Sequence, residues 1–523
     1  MRRFLKYMYA VLLTAAAGVY LVWRVKDTVP YDHGMVSVIL GWILLAAEIL
    51  GCIELLLFIW FYATAGRRQP EKAETGHPAV DVMVPTCGEP VELLRHTLTA
   101  CLAMRWEGEV KVWLLDDADR SEMKALAEEL GVGYYARKKR TNAKAGNLNA
   151  ALRKTHAPLI AFFDADMAPH EDFLEKTVPY MGKDVGFVQT PQSFTNPDLF
   201  QSAFACGKGI PNEQDFFYQS IEPARNHIRA VVLAGSNMLI SRQALVDVGG
   251  FVTGTLTEDF ATGIEIQKKG YGCVALTETL AEGLSPESLG ALIRQRKRWA
   301  RGCIQSGRKT KLLTCKGLTF AQRMSYLMAV SYWYFPVKRL IYIAAPVLYS
   351  LFGIALMRCD LRSAVMYWLP MFVLTGIGIP LFSGRTRSVG WSMFYEICLT
   401  PFLFFPVLSE TFGIRKTEFQ VTEKSGRSDW KGSMLLAHLG ISAVLAAALV
   451  RSVQMSLEGQ TFLYTMLIAW NIYHLYLFVT GALFICACKK ERAVKAAWEP
   501  VQRIGKADPL LLKLPRLVIS LFR

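Results

Sequence analysis

The stretch LIAFFDAD at 159–166 decides the fold. An apolar run, Leu159 to Phe163, stops abruptly at Asp164-Ala165-Asp166. The same phrase occurs upstream, where Val110–Leu115 runs into Asp116-Asp117 and Asp81-Val82-Met83-Val84 stops at Pro85. Short strand-like runs of this kind alternate with helical patterns over Leu93–Met104, Met123–Leu130 and Asn147–Arg153, and Val132–Ala136 adds a further strand. That alternation predicts a doubly wound α/β sheet. Ligands of such sheets bind at the carboxyl ends of the strands, where these acidic residues stand.

Asp164 and Asp166 are two residues apart, so in extended chain both point the same way and can share a cation. Mg²⁺ takes oxygen ligands and is commonly held by one or two carboxylates plus substrate phosphates. Lys144, in NAKAGN at 142–147, stands near a Gly-containing helix start, which suits a pyrophosphate. The plainer alternative is a basic helix start after a solvated run, Arg137–Arg140. Further on, Thr257-Glu258-Asp259 follows the Gly-rich turn Gly249–Gly254, and Gln295-Arg296-Lys297-Arg298-Trp299 follows that. Taken singly, the first is an N-cap and the second an amphipathic helix at a membrane surface. Taken together, in this order, they describe a nucleotide-sugar site.

The rest of the chain is apolar. Of 523 residues, 52% are hydrophobic and 20% charged, with a net charge of +15, which excludes disorder as the main state. Eleven cysteines, none in a CxxC pair, exclude a disulfide scaffold and argue against a zinc module. Apolar stretches at Tyr7–Trp23, Met35–Ala65, Leu340–Met357, Ala364–Phe382, Met434–Val450 and Thr461–Cys488 are each read as a membrane span, which takes about 20 helical residues. A cleaved signal peptide is the alternative for the first. Tyr326–Val337 and Trp391–Phe412 read as interfacial helices, with a seventh span as the alternative for the latter. Basic residues gather at the N-terminus, Arg67-Arg68, Arg385/Arg387, Arg415–Lys431 and Lys489-Lys490. Six spans then put both termini and the central domain in the cytoplasm of a plasma-membrane protein. The expected domains are a transmembrane pair at 1–66, a soluble domain at 80–311, a second membrane region at 312–488 and an amphipathic tail at 489–523. No basic stripe with interleaved aromatics appears, so nucleic acid is not an expected partner.

In this setting the chain resembles processive family 2 glycosyltransferases and, within them, bacterial cellulose synthases. The resemblance is carried by VPTCGEP at 84–90, LLDDAD at 114–119, NAKAGNLNAAL at 142–152, FFDADMAP at 162–169, VQTPQSFTNPD at 188–198, LTEDF at 256–260, GLSPES at 283–288, QRKRWARG at 295–302 and FQVTEKSG at 419–426. It implies a GT-A-like domain with a doubly wound mixed sheet, inserted in an α-helical transmembrane domain of about six spans plus interfacial helices. The implied activity is inverting polymerisation of UDP-glucose into a β-1,4-glucan that crosses the bilayer through the same protein. Thr86, Glu89 and Asp116 or Asp117 are then expected at uridine, and Asp164 and Asp166 at Mg²⁺ (or Mn²⁺) and the diphosphate. Lys144 and Arg298 would neutralise departing UDP. Asp259 would be the general base, beside Glu258. Gln295 and Trp299 would hold the acceptor. Phe419, Val421, Thr422 and Lys424, in a gating loop at 415–431, would close over the nucleotide. Tyr332, Trp333 and Tyr334 would line the channel entrance or form an interfacial belt.

The chain departs from that pattern in three places. Ala234-Gly235-Ser236 stands where the family usually has Cys-Gly-Ser, which bears on linkage. Only two spans precede the soluble domain. The segment after the last span is too short for a cyclic-di-GMP-binding domain, so that control would need accessory subunits. A mixed-linkage or other β-glucan synthase is the alternative within the class, and a chitin- or hyaluronan-type synthase fits less well.

Overall fold

The computed structural model describes residues 2–64, 70–203, 210, 212–383, 389–414, 430–459 and 462–488. Among the described residues ten strands form in chain order: β1 Val80–Thr86, β2 Val110–Asp116, β3 Gly133–Tyr135, β4 Leu159–Phe162, β5 Met167–Pro169, β6 Val185–Gln189, β7 Ser193–Phe194, β8 Met238–Ser241, β9 Gly272–Ala275 and β10 Ala281–Gly283. Seven make one sheet in the order β3-β2-β1-β4-β8-β6-β9, and β5-β10-β7 form a small second sheet. β8 runs antiparallel to both β4 and β6, while the other pairings of the large sheet are parallel. The sheet is therefore mixed, as the resemblance implied.

β1 is almost wholly buried because both faces are covered. With period 2, Val80, Val82 and Val84 pack with Leu94, Leu98 and Leu114 on one face. Met83 packs with Leu115, Leu148, Phe162 and Ile240 on the other. Its one carboxylate, Asp81, accepts from Arg242 Nη2 at 2.7 Å, Ala157 N at 2.8 Å and Trp113 Nε1 at 3.0 Å. Parallel registers align Thr86 with Asp116, and β4 beside β1 delivers Asp164 to the same edge. Because β8 is reversed, Met238 lies opposite both Phe162 and Gln189, so the residues just before β8 join that edge. The helix expected from Asn147 starts at Ala143, which puts Lys144 in its first turn.

Among the described residues seven helices are long and apolar enough to cross a membrane: Phe4–Asp27, Gly34–Phe61, Phe335–Phe352, Leu361–Phe382, Gly390–Thr411, Ser433–Leu457 and Leu463–Ala487. The additional one, against six expected spans, is Gly390–Thr411, the helix expected to lie in the interface. By length and composition it also fits the alternative span, and its Glu410 is held by Arg301, Gln305 and Arg308 of the soluble-domain helix Leu289–Lys309. The helix expected at Tyr326–Val337 is in fact two. Phe320–Tyr332, started by a Thr319/Gln322 capping box, ends before Trp333, and Phe335–Phe352 follows with Pro336 in its first turn. Lys338 and Arg339 do not interrupt this second helix, because they pair with Glu54 and Glu396 from neighbouring helices. The first apolar helix is fastened in the same way: Arg24, 1% exposed, donates from Nε to Glu48 Oε2 at 2.6 Å and also bonds Thr28.

Removing one member of a buried ion pair strands the other and costs about 3–5 kcal/mol, whereas removing both costs much less. Arg24→Met is expected to lower the melting temperature of the detergent-solubilised protein, and Arg24→Met/Glu48→Gln to recover most of the loss.

Candidate active site

The carboxyl ends of β1, β2 and β4 gather three sets of polar groups. At the end of β1, Glu89 folds back on its own turn: Oε2 accepts from Thr86 Oγ1 at 2.6 Å, Cys87 N at 2.8 Å and Gly88 N at 3.0 Å. Asp116, fully buried, accepts from Arg120 N at 2.7 Å, Ala118 N at 3.1 Å and Tyr134 OH at 3.3 Å. Arg120 also reaches its Oδ1, together with Thr86 Oγ1 and Glu89 O. Asp116 is thus saturated by protein donors. Of the pair offered for uridine, Asp117 lies nearer the surface. Both its oxygens face Arg137, Nε to Oδ1 at 2.5 Å and Nη2 to Oδ2 at 2.7 Å.

Arg137 corrects a sequence expectation. It is 7% exposed rather than part of a solvated run, because it pairs with Asp117 and also donates to Thr141 O and Ala143 O. It thereby ties the end of β2 to the loop that leads into the Lys144 helix. Charge-run reading missed it because its partner lies 20 residues away.

Lys144 Nζ donates to Asp164 Oδ1 at 2.5 Å and to Gly235 O at 2.8 Å. Burial pulls this ammonium down, but Asp164, Glu258 and Asp259 outweigh it and hold its pKa above the ordinary lysine value. Asp164 N donates to Ser236 Oγ at 2.8 Å. The Ala234-Gly235-Ser236 turn is in turn held by Gln189 and Gln192 of the VQTPQ segment. Ala234 N donates to Gln189 Oε1 at 2.9 Å, Gln189 Nε2 to Ser236 O at 2.8 Å, and Gln192 Nε2 to Ala234 O at 3.1 Å. The two glutamines are scaffold residues that motif reading quoted without a role.

Asp259 enters from the other side, at the start of the Glu258–Lys268 helix. Gly235 has φ +83°, and a Cβ there would lie 2.2 Å from Asp259 Oδ2, so only glycine permits this approach. Asp259 is partly buried and accepts from Phe260 N at 2.7 Å. Burial, then the Glu258 charge, push its pKa up to about 7, against the pull of Lys144, the Phe260 N–H and Arg298. The long helix Leu289–Lys309 holds this segment in place. A Cβ on Gly302 would meet Thr257 N at 2.8 Å, and Ser306 Oγ donates to Thr257 O at 3.0 Å.

The same helix carries Gln295, Arg298 and Trp299. Gln295 accepts from Arg296 Nη1 at 2.8 Å, and the Arg296 guanidinium lies 4.3 Å over the Trp299 ring while also bonding Glu213. One indole face is therefore already covered by a cation. Trp299 and Asp259 line a cavity of about 690 Å³ whose wall also includes Ala234, Trp333, Lys338 and Tyr342. Tyr332 lines it too, whereas Tyr334 turns away to Thr411 at 2.9 Å. Phe419, Val421, Thr422 and Lys424 lie outside the described residues, as does the tail at 489–523. Among the described residues no group of three or more His, Cys, Asp or Glu gathers to hold a metal. β4 ends at Phe162, and Ala165-Asp166 form a turn closed by Met167 N donating to Asp164 O at 2.9 Å, so the two carboxylates are not on the extended chain their spacing predicted. A cation held by them would take its other ligands from water and substrate phosphates.

Residues 77–302 match the model of glycosyltransferase-like family 2, and residues 246–394 that of cellulose synthase. The cellulose synthase catalytic subunit [UDP-forming] of Xanthomonas axonopodis pv. citri (strain 306) is 31% identical over 509 residues, 95% of this chain and 69% of that protein. The chain belongs to the cellulose synthase family. Another member, cellulose synthase 2 of Novacetimonas hansenii, is 35% identical over 83% of this chain, but the chain spans only 28% of its length. The catalytic subunit of Pseudomonas fluorescens (strain SBW25), at 33% identity, is spanned over 57% of its length. In fold, the family domain is similar to the mannosyltransferase PcManGT from Pyrobaculum calidifontis in complex with GDP-Man and Mn²⁺. The TM-score is 0.52 at 17% identity, covering 72% of this chain and all of that one.

An aspartic acid with pKa about 7 is protonated well above the usual carboxylate range. Infrared titration is expected to show a carboxyl C=O band that disappears as pH rises through about 7 and is missing from Asp259→Asn.

Proposed function

We propose that the protein is a multi-pass membrane synthase that polymerises UDP-glucose into a β-1,4-glucan and passes the chain into its own membrane region. The observation that carries this reading is the shared cavity. Asp259 and Trp299 line the same space as Glu48, Lys338, Arg339 and Tyr342 of the apolar helices. A sugar polymer formed at the base therefore opens onto a space within the helix bundle whose mostly aromatic and apolar wall carries a few charged side chains, in line with the processive character of the family. The soluble domain lies on the cytoplasmic side by the distribution of basic loops.

The donor binds along the carboxyl ends of β1, β2 and β4, with uridine near Thr86, Glu89 and Asp117 and the diphosphate near Lys144 and Asp164. Asp164 and Asp166 would hold a divalent cation, Mg²⁺ or Mn²⁺, which would supply further positive charge at the diphosphate. Asp259, as carboxylate, takes the proton from the acceptor hydroxyl while that oxygen attacks the anomeric carbon. The bond from that carbon to UDP breaks, and its electron pair leaves with UDP. Lys144 and Arg298 stabilise the charge that develops there. A single displacement inverts the α-linked donor to a β-linked product. Burial, and then the Glu258 charge, keep the base's pKa high enough to accept a proton at neutral pH. Trp299 and Gln295 orient the acceptor sugar, the indole offering its face away from Arg296.

One observation favours a second reading. Ala234 lines the cavity immediately before Gly235, whose missing side chain makes room for the base. A small residue there widens the space beside the acceptor, which suits a mixed-linkage β-glucan.

Purified protein in lipid vesicles with Mg²⁺ and labelled UDP-glucose tests both. Polymer fully released by a β-1,4-specific endoglucanase is the expected result, and release only by a mixed-linkage enzyme would establish the second reading. Polymer from UDP-N-acetylglucosamine alone would overturn both. Because the base must be ionised, kcat/KM is expected to fall about tenfold per pH unit below about 7 and to level off above it. Gly235→Ala is expected to lower kcat by about a hundredfold or more while UDP still binds, since the added methyl displaces Asp259.

A further inference from the structure

Glu410 stands near the end of the Val389–Thr411 helix and is 1% exposed. A buried carboxylate costs several kcal/mol unless its oxygens are met by donors. Here all three donors come from the helix Leu289–Lys309. Arg301 Nε at 3.2 Å and Gln305 Nε2 at 2.9 Å share Oε2, and Arg308 Nη2 takes Oε1. Their spacing of four and three residues puts them on one face of that helix.

Gln305 is used at both ends. While its Nε2 donates to Glu410, its Oε1 accepts from Leu256 N at 3.0 Å. Leu256 directly precedes Thr257-Glu258-Asp259, and the next residue along each segment repeats the link, Thr257 Oγ1 to Ser306 Oγ at 3.1 Å. The helix that ends in Glu410 also lines the cavity through Tyr395 and Glu396, whereas neither Gln305 nor Glu410 does.

We propose that Gln305 and Glu410 are positioning residues for Asp259. The Gln305 amide carries the placement of the cavity-walling helix to the Leu256 N–H, and so fixes the distance between the base and the cavity it serves. Only an amide does this without a charge conflict: a carboxylate at 305 faces Glu410, and an ammonium cannot accept from Leu256. The inference rests on the reading of Asp259 as base.

The test uses the full chain in vesicles with UDP-glucose and Mg²⁺. Gln305→Met keeps the length and loses both hydrogen bonds. Gln305→Glu sets like charges together, and the exchange Gln305→Glu/Glu410→Gln restores a donor–acceptor pair. Expected for Gln305→Met is a kcat about tenfold to a hundredfold lower, with KM for UDP-glucose within about twofold and the acid limb of the pH profile displaced. Gln305→Glu is expected to be at least as impaired, and the exchange to recover most of kcat. A Gln305→Met enzyme with wild-type kcat and pH profile would overturn the proposal, as would failure of the exchange to rescue Gln305→Glu. Asp259→Asn is assayed alongside. If it keeps the wild-type rate, the base reading fails and the proposal with it; if it is inactive while Gln305→Met is wild type, the positioning role alone fails.

Discussion

The site depends on a missing side chain. Asp259 Oδ2 occupies the space in which any residue other than glycine at 235 would put its Cβ. The same turn supplies the carbonyl that holds Lys144 and the hydroxyl that accepts from Asp164 N. Asp259, Lys144 and Asp164 are thus set against two consecutive residues, Gly235 and Ser236. Burial that brings them together also raises the Asp259 pKa, and the nearby lysine limits the rise. A site with fewer carboxylates would lose the raised pKa of Lys144, and one without Lys144 would leave Asp259 still harder to ionise.

The membrane-side helices follow a related rule. Their charged residues occur in opposed pairs, Arg24 with Glu48, Lys338 with Glu54 and Arg339 with Glu396. Glu48, Glu54, Lys338, Arg339 and Glu396 all line the cavity. Polar groups in a hydrocarbon setting are tolerated where they face one another or an internal space, and here they do both.

Much of this was legible in the sequence. Apolar runs ending in carboxylates announced the strands and the edge where Asp117, Asp164 and Lys144 meet. The order of the motifs also placed Asp259 and Trp299 in one site. What stayed hidden were long-range partners. Arg137 reads as one of several basic residues until β2 delivers Asp117 to it, and Gln189 reads as the end of a strand until the reversed β8 sets the 234–236 turn against it. Asp116 and Asp117 look equivalent as neighbours, yet strand alternation sends one inward to full saturation. Hydropathy leaves Lys338 and Arg339 out between the stretches ending at Val337 and starting at Leu340, because it counts charge without counting the carboxylates that meet it.

The reversed direction of β8 has a bearing on how the protein is made. Lys144 and Gly235 are 91 residues apart, and Asp164 and Ser236 are 72 apart. A chain leaving the ribosome can pair β1, β2, β3 and β4 in sequence, but the donor side stays open until β8 slots in between β4 and β6. The Thr257–Asp259 segment is fastened later still, because Glu410, the far anchor of Gln305, belongs to a helix that emerges after the Leu361–Ser383 segment. The order of synthesis therefore delays the Gln305–Glu410 link until most of the apolar helices have been made.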